Sequence, residues 1–436
     1  MATQTGYKTS ELGIIPQDWD VVELEKVCDI DTENLTSNTD SDYEFDYISL
    51  EQIDNGYLLN TEKYKFKDAP SRARRVVRKN DVLISTVRPN LMSHYYVKNE
   101  VRDLICSTGF SVVRGTNKLN MPYLYHHLFA NIINSQINLV VVGSNYPAIN
   151  SHDIKNLKIP LPSTPEQTAI ATALSDTDTL ISSLQTLIAK KQAIKLSAMQ
   201  NLLSGKIRLP EFALLPDGSP KTMRQTELGC VPEDWKIGTI GKDCVLKARI
   251  GWQSLRTDEY LENGEYGLIT GTDFNNGLVN WKTCSFVSEW RYKQDTNIQL
   301  KVKDVLITKD GTIGKLGYIN ELPFSATLNS GIYVVRPKNS NLIEPMFLFY
   351  LFSSEYFNDF ISVISAGSTI THLYQKDFVN FQFPLPSKPE QTAIAQLLSD
   401  MDAEIESLEG RLKKTQALKQ GMMQTLLTGK IRLPLE

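Results

Sequence analysis

The chain has 436 residues, 41% of them hydrophobic, and a formal net charge of −4. That length supports two or three globular cores, and so small a charge argues against bulk electrostatic attachment to nucleic acid or anionic lipid. The five cysteines include no C-x-x-C pair, the N-terminus has no apolar signal region, and the longest apolar runs are too short for a bilayer, so a cytoplasmic protein is expected.

Taken in chain order, the sequence opens on S-E-L-G-I-I-P-Q-D-W at residues 10–19. Acidic residues then dominate to Glu62, and basic residues from Lys63 to Arg102, which predicts a polarised first segment. Residues 81–85 read as a strand and residues 122–134 as a helix opened by a proline. Three loops in this segment are candidate binding sites. One carries Arg72, Arg74 and Arg75, the next Arg88 and Asn90, and the third Ser144 and Asn145. Arginine offers a forked donor for phosphate or a guanine edge, and asparagine pairs with adenine.

Residues 160–210 predict one long helix. The start is Pro-rich with Glu166 near the positive dipole end, and the stop is Gly205 followed by Pro210. Its apolar positions Ile170, Leu174, Ile181, Leu184 and Ile188 follow heptad spacing, interrupted at Thr177. The pattern then slips to Ile194, Leu202 and Leu203, as a stutter would produce. About 38 helical residues make a rod roughly 57 Å long.

A turn-rich linker, residues 211–225, leads to a second T-E-L-G-C-V-P-E-D-W at residues 226–235. The second segment again alternates strands with turns, including residues 304–308, and again holds a helix opened by a proline, at residues 345–360. Its candidate loops carry Trp252, Gln253 and Arg256, then Lys309, Thr312 and Lys315, then Ser368 and Thr369. In the Lys309 loop, glycines would let backbone N–H groups approach a phosphate. Residues 384–434 repeat residues 160–210 without a gap at an offset of 224, with roughly three positions in five identical. The repeated seam is Ile394, Leu398, Ile405, Leu408 and Leu412, ending through Leu418, Met422 and Leu426.

The expected fold class is therefore α+β. Two similar globular domains, residues 1–159 and 226–383, are joined by two long helices, residues 160–210 and 384–436, in an antiparallel coiled coil with pseudo-two-fold symmetry. Catalytic chemistry is not expected. No phosphate loop and no Asn/Asp-Pro-Pro-Tyr/Phe tetrapeptide occurs, and His126 and His127 are adjacent on a helix and so face different ways. No metal or cofactor is expected. Asp217 with Asp234 and Lys236 imitates a metal-dependent nuclease pattern, but Asp217 sits in a Pro-Asp-Gly turn.

Three repeated signatures carry a family resemblance: [ST]-E-L-G-x-x-P-x-D-W, [IF]-P-L-P-S-x-P-E-Q-T-A-I-A at residues 159–171 and 383–395, and L-L-[ST]-G-K-I-R-L-P at residues 202–210 and 426–434. Over nearly its whole length the chain resembles the specificity subunit of type I restriction–modification enzymes. The resemblance implies a non-catalytic subunit whose two variable segments are target recognition domains, each reading half of a bipartite double-stranded DNA site. It implies helices that set the spacer and dock two methyltransferase subunits, to which restriction subunits can be added. Half-sites about 34 Å apart would suit two modules reading one duplex face. Other readings are a specificity subunit of a methyltransferase-only or type IIB-like system, a coiled-coil scaffold or DNA mimic, and a free-standing nuclease.

Overall fold

The computed structural model describes residues 6–141, 147–251, 254–365 and 372–434. Two compact units emerge, Met1–Thr186 with Glu409–Glu436, and Leu187–Leu408. The long helices run Thr164–Ser204 and Lys388–Leu426. Each unit thus combines one variable segment with part of both helices.

In the first unit, one four-stranded sheet has the order Tyr95–Tyr96, Val82–Ser85, Phe110–Gly115, Cys28–Ile30. A second has the order Glu62–Lys65, Glu44–Ile48, Leu104–Ser107, Ala73–Val77. Asp20–Glu23 pairs with Lys158–Leu161 and ties the start of the segment to the hinge before the helix. The second unit repeats this plan. Lys236–Thr239 pairs with Gln382–Leu385, and a six-stranded sheet runs through Cys244–Lys247, Ile332–Pro337, Val305–Thr308 and Leu316–Tyr318. Each unit has a parallel ladder at the matching place, Glu44–Ile48 with Leu104–Ser107 and Tyr266–Ile269 with Ser325–Leu328, and the second unit adds a shorter one between Leu278–Val279 and Leu316–Tyr318.

The two strands that each segment predicts are buried on both faces, Val82–Ser85 and Val305–Thr308. Each is preceded by a buried aspartate. Asp81 accepts two bonds of 2.8 Å from Arg114, and Asp304 two of 2.6 Å from Arg336. The same carboxylates take the backbone N–H of Arg78 and Lys301. Three donors converge on each carboxylate, so the turn before each strand is fixed in one geometry.

The predicted charge polarity of the first segment does not survive folding. Glu44–Ile48 and Glu62–Lys65 are antiparallel partners, which sets acidic beside basic side chains. Lys67 bonds Asp42 at 2.8 Å, Arg78 bonds Glu33 at 2.8 Å, and Lys79 bonds Glu100 at 2.7 Å. Blocks that are separate in sequence interleave in space.

The predicted seam is buried at Ile170, Leu174, Ile181 and Leu184 in the first unit, and at Ile188, Ile394, Leu398 and Ile405 in the second. Leu408 and Leu412 are half-buried. In the first unit Thr177 meets Met422 and Asp178 bonds Lys419 at 2.6 Å. In the second, Lys191 bonds Glu404 at 2.7 Å and Lys195 bonds Asp402. Partner numbers fall along one helix as they rise along the other, so the pairing in each unit is antiparallel. Ile194 and Leu418 correct the predicted path, being 43% and 61% exposed. The heptad continues instead through Lys195 and Lys419, whose apolar stems lie in the seam while their ammonium groups reach an aspartate. Leu202 and Leu203 are buried in the second unit and Leu426 in the first, where Met422 packs partly buried against the same core.

At the start of each helix the three repeated signatures meet. Glu166, 1% exposed, accepts from Trp19 Nε1 at 3.1 Å and from Arg432 Nε and Nη2 at 2.7 Å each. Arg432 also forks onto Asp18 at 2.9 and 2.8 Å. In the second unit Glu390 accepts from Trp235 Nε1 at 3.1 Å and from Arg208 at 2.8 and 2.6 Å, while Arg208 forks onto Asp234. The neighbouring glutamines repeat as well. Gln167 takes the N–H of Asn120 at 2.8 Å, and Gln391 that of Glu344 at 2.9 Å. Gly429 and Gly205 have positive φ of 69° and 70°, and a Cβ there would overlap Pro16 and Pro232. Glu166 and Glu390 are thus more than dipole partners: each is the centre of a buried clasp.

Replacing Arg432 by Met leaves the Glu166 carboxylate with the indole alone. This should lower unfolding free energy by about 1–3 kcal/mol, read as a shift in denaturant midpoint; an unshifted midpoint would remove the clasp as a stabilising element.

Three histidines of the first unit are buried. Burial pushes His94 down to about 4, and His126 and His127 to about 3. Both ring nitrogens of His127 lack a partner, as does His94 Nε2. Their folded-state affinity for protons is below the unfolded value of 6.5. Acidification therefore makes the unfolded chain bind protons that the folded chain refuses, and stability present above pH 6.5 falls as pH drops toward 4. Each histidine contributes about 1.4 kcal/mol per pH unit in that window. Thermal melts between pH 7 and 5 should show the first unit losing stability, with the loss reduced in His127→Phe; a variant with the wild-type pH slope would contradict this.

Candidate nucleic-acid interface

In the first unit the Arg72 and Arg88 loops meet along one edge. Strand Val82–Ser85 delivers Thr86, whose N–H and hydroxyl both donate to the Gly109 carbonyl at 2.8 Å. Thr108 N–H donates to the Arg72 carbonyl at 2.8 Å, bringing the arginine loop to the same turn. Arg88 N–H donates to Pro147 O at 2.7 Å and Ile149 N–H to Thr86 O at 2.9 Å, so the Arg88 loop lies against residues 147–149. Arg88 is exposed with φ of 48°, and Met92 has φ of 53°. Two non-glycine residues in left-handed geometry bracket a tight turn that presents Arg88, Asn90 and Leu91 outward.

The arginine loop divides. Arg72 is exposed. Arg74 donates to the Ala73 carbonyl and stacks 4.9 Å from the Phe66 ring. Arg75 turns inward and bonds Asp31 at 2.7 Å, and Asp31 also accepts from Ser111 and Ser151. Its charge is already answered within the fold. Ser144 and Asn145 lie outside the described residues.

The second unit builds the matching edge from different groups. Lys309 N–H donates to Gly331 O at 2.8 Å, and Leu373 N–H donates to Lys309 O at 2.9 Å. Lys309 Nζ lies 5.4 Å from the Tyr333 ring centroid. Asp310 pairs with His372, whose ring packs 4.4 Å from Tyr374. The bridges Val87↔Ala148 and Asp310↔His372 occupy equivalent places, apolar in one unit and ionic in the other. Thr312 is exposed, and Lys315 Nζ donates to the Gly271 carbonyl at 2.9 Å. The glycine loop does not form an open phosphate cradle, because Gly314 N–H and Lys315 N–H are taken by Thr308. Gly311, with φ of 69° and open space at its Cβ, keeps the turn thin. Arg256 is exposed, and its N–H caps onto Glu259. Trp252, Gln253, Ser368 and Thr369 lie outside the described residues.

Two turns that complete these edges were not singled out from sequence, Ser107-Thr108-Gly109 and Asn329-Ser330-Gly331. Their signal is a hydroxyl residue and a glycine immediately before a buried strand in each segment. Asn329 Nδ2 donates to Tyr260 OH at 2.6 Å, which joins the 254–260 segment to the second edge.

These edges offer guanidinium, ammonium, hydroxyl and amide groups among the described residues. Among the described residues no three His, Cys, Asp or Glu converge as a metal site, and no helix is long and apolar enough to cross a membrane. The nuclease-like pattern is dispersed: Asp217 caps Ser219 within its turn, and Asp234 is held by Arg208 and Lys221. If Arg88 reads a base edge, Arg88→Ala should cost about 1–3 kcal/mol and relax one position of one half-site. Competition binding on single-base variants would show this; an equal loss on every sequence would make Arg88 a phosphate contact instead.

The sequence matches the family described as type I restriction modification DNA specificity domain twice, over residues 16–195 and 232–417. It is 27% identical to the type I restriction enzyme MjaVIII specificity subunit of Methanocaldococcus jannaschii, covering 96% of this chain and 94% of that one. It is 24% identical to the EcoKI specificity subunit of Escherichia coli K12, over 47% of this chain and 44% of that one. Two solved chains share the fold. One is the type I restriction–modification S subunit from M. genitalium, with TM-score 0.58, 16% identity and coverage of 94% and 96%. The other comes from work on complex assembly and conformational transition of the type I R-M system, with TM-score 0.54, 22% identity and coverage of 96% and 99%. With both variable segments and both long helices matched, the chain belongs to the type I restriction modification DNA specificity family.

Proposed function

We propose that this chain is the non-catalytic specificity subunit of a type I restriction–modification complex, and that each unit reads one half of a bipartite DNA target. Residues 1–159 and 226–383 act as the recognition domains, residues 211–225 as a linker, and residues 160–210 and 384–436 as the frame. The paired helices set the spacer and dock two methyltransferase subunits, through which restriction subunits join. Contacts to DNA come from Arg72, Arg88 and Asn90 in the first domain and from Arg256, Lys309, Thr312 and Lys315 in the second. Ser144, Asn145, Trp252, Gln253, Ser368 and Thr369 flank them in sequence.

One observation carries this reading. The clasps, the buried Asp–Arg pairs and the edge loops recur in both units, yet the side chains presented at the edge differ. A frame whose clasps and buried Asp–Arg pairs repeat, with unlike tips, suits a reader of two unlike sequences. Phosphate contacts position such a reader and base-edge contacts specify it, so a few exposed cations and hydroxyls per unit are sufficient. A nearly neutral overall charge limits indiscriminate binding, whose strength comes from the number of phosphates neutralised.

Exchanging residues 236–381 for the matching segment of a relative should replace one half-site and leave the other and the spacer unchanged, as read by modification mapping. A swap that altered both half-sites would overturn the proposal. The purified chain alone should neither methylate DNA nor bind S-adenosylmethionine, which equilibrium dialysis would test.

A further inference from the structure

The helix Asn131–Val140 carries no charged residue, although one of its faces is exposed. Ile133 and Ile137 are buried on the inner face. Two amides are used within the fold: Asn134 Nδ2 donates to the Ala130 carbonyl at 3.1 Å, and Gln136 exchanges two bonds of 2.8 Å with the Lys158 backbone. Asn131, Ser135, Asn138 and Leu139 are exposed, and their spacing sets them together on one side of the helix. Among the described residues the three polar side chains of that face have no hydrogen-bond partner, and Leu139 is 85% exposed.

This helix adjoins the first edge. It packs against the turn Pro89–Leu91, which presents Arg88 and Asn90. Asn138 and Leu139 lie in its last turn, on the approach to Pro147, whose carbonyl accepts from Arg88. Charge there favours a polyanion. From Leu104 to His152 the sequence holds no aspartate or glutamate, although these make up 50 of its 436 residues. Acidic side chains beside a phosphate backbone would oppose binding, and none is present along this stretch. A protein-docking face is instead enriched in aromatic, Met and Arg anchors, none of which the four exposed positions carry. In the second unit the matching helix, Glu355–Ser365, has Glu355, Asp359, Ser362 and Val363 at the same register. That face is acidic, and Glu355 is engaged by Gln200 at 2.6 Å.

We propose that the outer face of Asn131–Val140 is a base-reading surface of the first half-site: the helix lies in the major groove, Asn131 and Asn138 pair with adenine edges, and Leu139 covers a thymine methyl. The inference rests on the proposed DNA-reading role of the first unit. The major groove admits an α-helix, an asparagine amide matches the N6–H and N7 of adenine, and an apolar side chain fits the thymine methyl. The two asparagines lie about 10 Å apart along the helix axis, a span of roughly three base pairs.

The test uses the full chain with its methyltransferase partner and a duplex carrying the mapped target. Each adenine of the first half-site is replaced in turn by 7-deazaadenine, which lacks N7, and each thymine by uracil, which lacks the methyl. Wild type, Asn131→Ala, Asn138→Ala, Leu139→Ala and Arg88→Ala are measured side by side; the three helix positions are exposed, so alanine there leaves the fold intact. For wild type, one 7-deazaadenine should cost about tenfold in affinity, and in one asparagine variant that same replacement should cost nothing further. Leu139→Ala should likewise cancel the penalty of one uracil. The helix variants should keep the wild-type salt slope, because no phosphate contact is lost, and should relax positions of the first half-site only. Penalty profiles identical to wild type in all three helix variants overturn the proposal. If Arg88→Ala still weakens DNA binding in that case, the edge reads DNA without the helix; if it does not, the assignment of the edge fails as well. Helix variants that keep wild-type DNA affinity but lose the methyltransferase on size-exclusion chromatography make the face a protein-docking surface and also overturn the proposal.

Discussion

The buried glutamate at the head of each long helix is the constraint on which the rest of the molecule depends. A carboxylate removed from water must be answered by donors, and Glu166 and Glu390 each recruit an indole and a forked arginine. Those donors come from distant parts of the chain. Trp19 opens the first segment and Arg432 closes the second helix, while Trp235 opens the second segment and Arg208 follows the first helix. Satisfying one buried charge therefore fixes the start of a recognition segment, the start of its own helix and the end of the other helix together.

That arrangement holds the frame mainly through residues outside the edge loops, with Arg75, paired to Asp31, and Lys315, bonded to the Gly271 carbonyl, as exceptions. The strand that carries each edge is buried on both faces and is anchored by an aspartate–arginine fork below it. Above it, the side chains at equivalent places are Val87 and Ala148 in one unit and Asp310 and His372 in the other. A hydrophobic contact and an ionic one are exchanged without disturbing the frame. Such independence is what a protein with interchangeable specificity needs, because base-reading side chains can change while the support does not.

Much of the frame was legible in the sequence because it rests on repetition and periodicity. The 224-residue offset identifies the helices, and heptad spacing identifies Ile170, Leu174, Ile181 and their counterparts as buried. Periodicity failed at Ile194 and Leu418 because a lysine stem can fill a seam position while its charge reaches Asp402 or Asp178. The charge blocks of the first segment misled for a related reason: strand pairing neutralises what linear order separates. The edges were only partly legible. Glycines, prolines and arginines mark loops, but whether an arginine faces solvent, as Arg72 does, or an internal aspartate, as Arg75 does, depends on tertiary pairing that no local pattern encodes. The clasp was visible as three separate motifs, and only the fold shows that they are one.

The central claim is that two separately built edges read two separate sequences under one frame. Genome-wide mapping of modified bases in a host that expresses this chain with its methyltransferase partner tests it most directly. The account predicts a single motif made of two short specified blocks separated by a fixed run of unspecified bases, with modified adenines in both blocks. One continuous block, or modification with no motif, would contradict it.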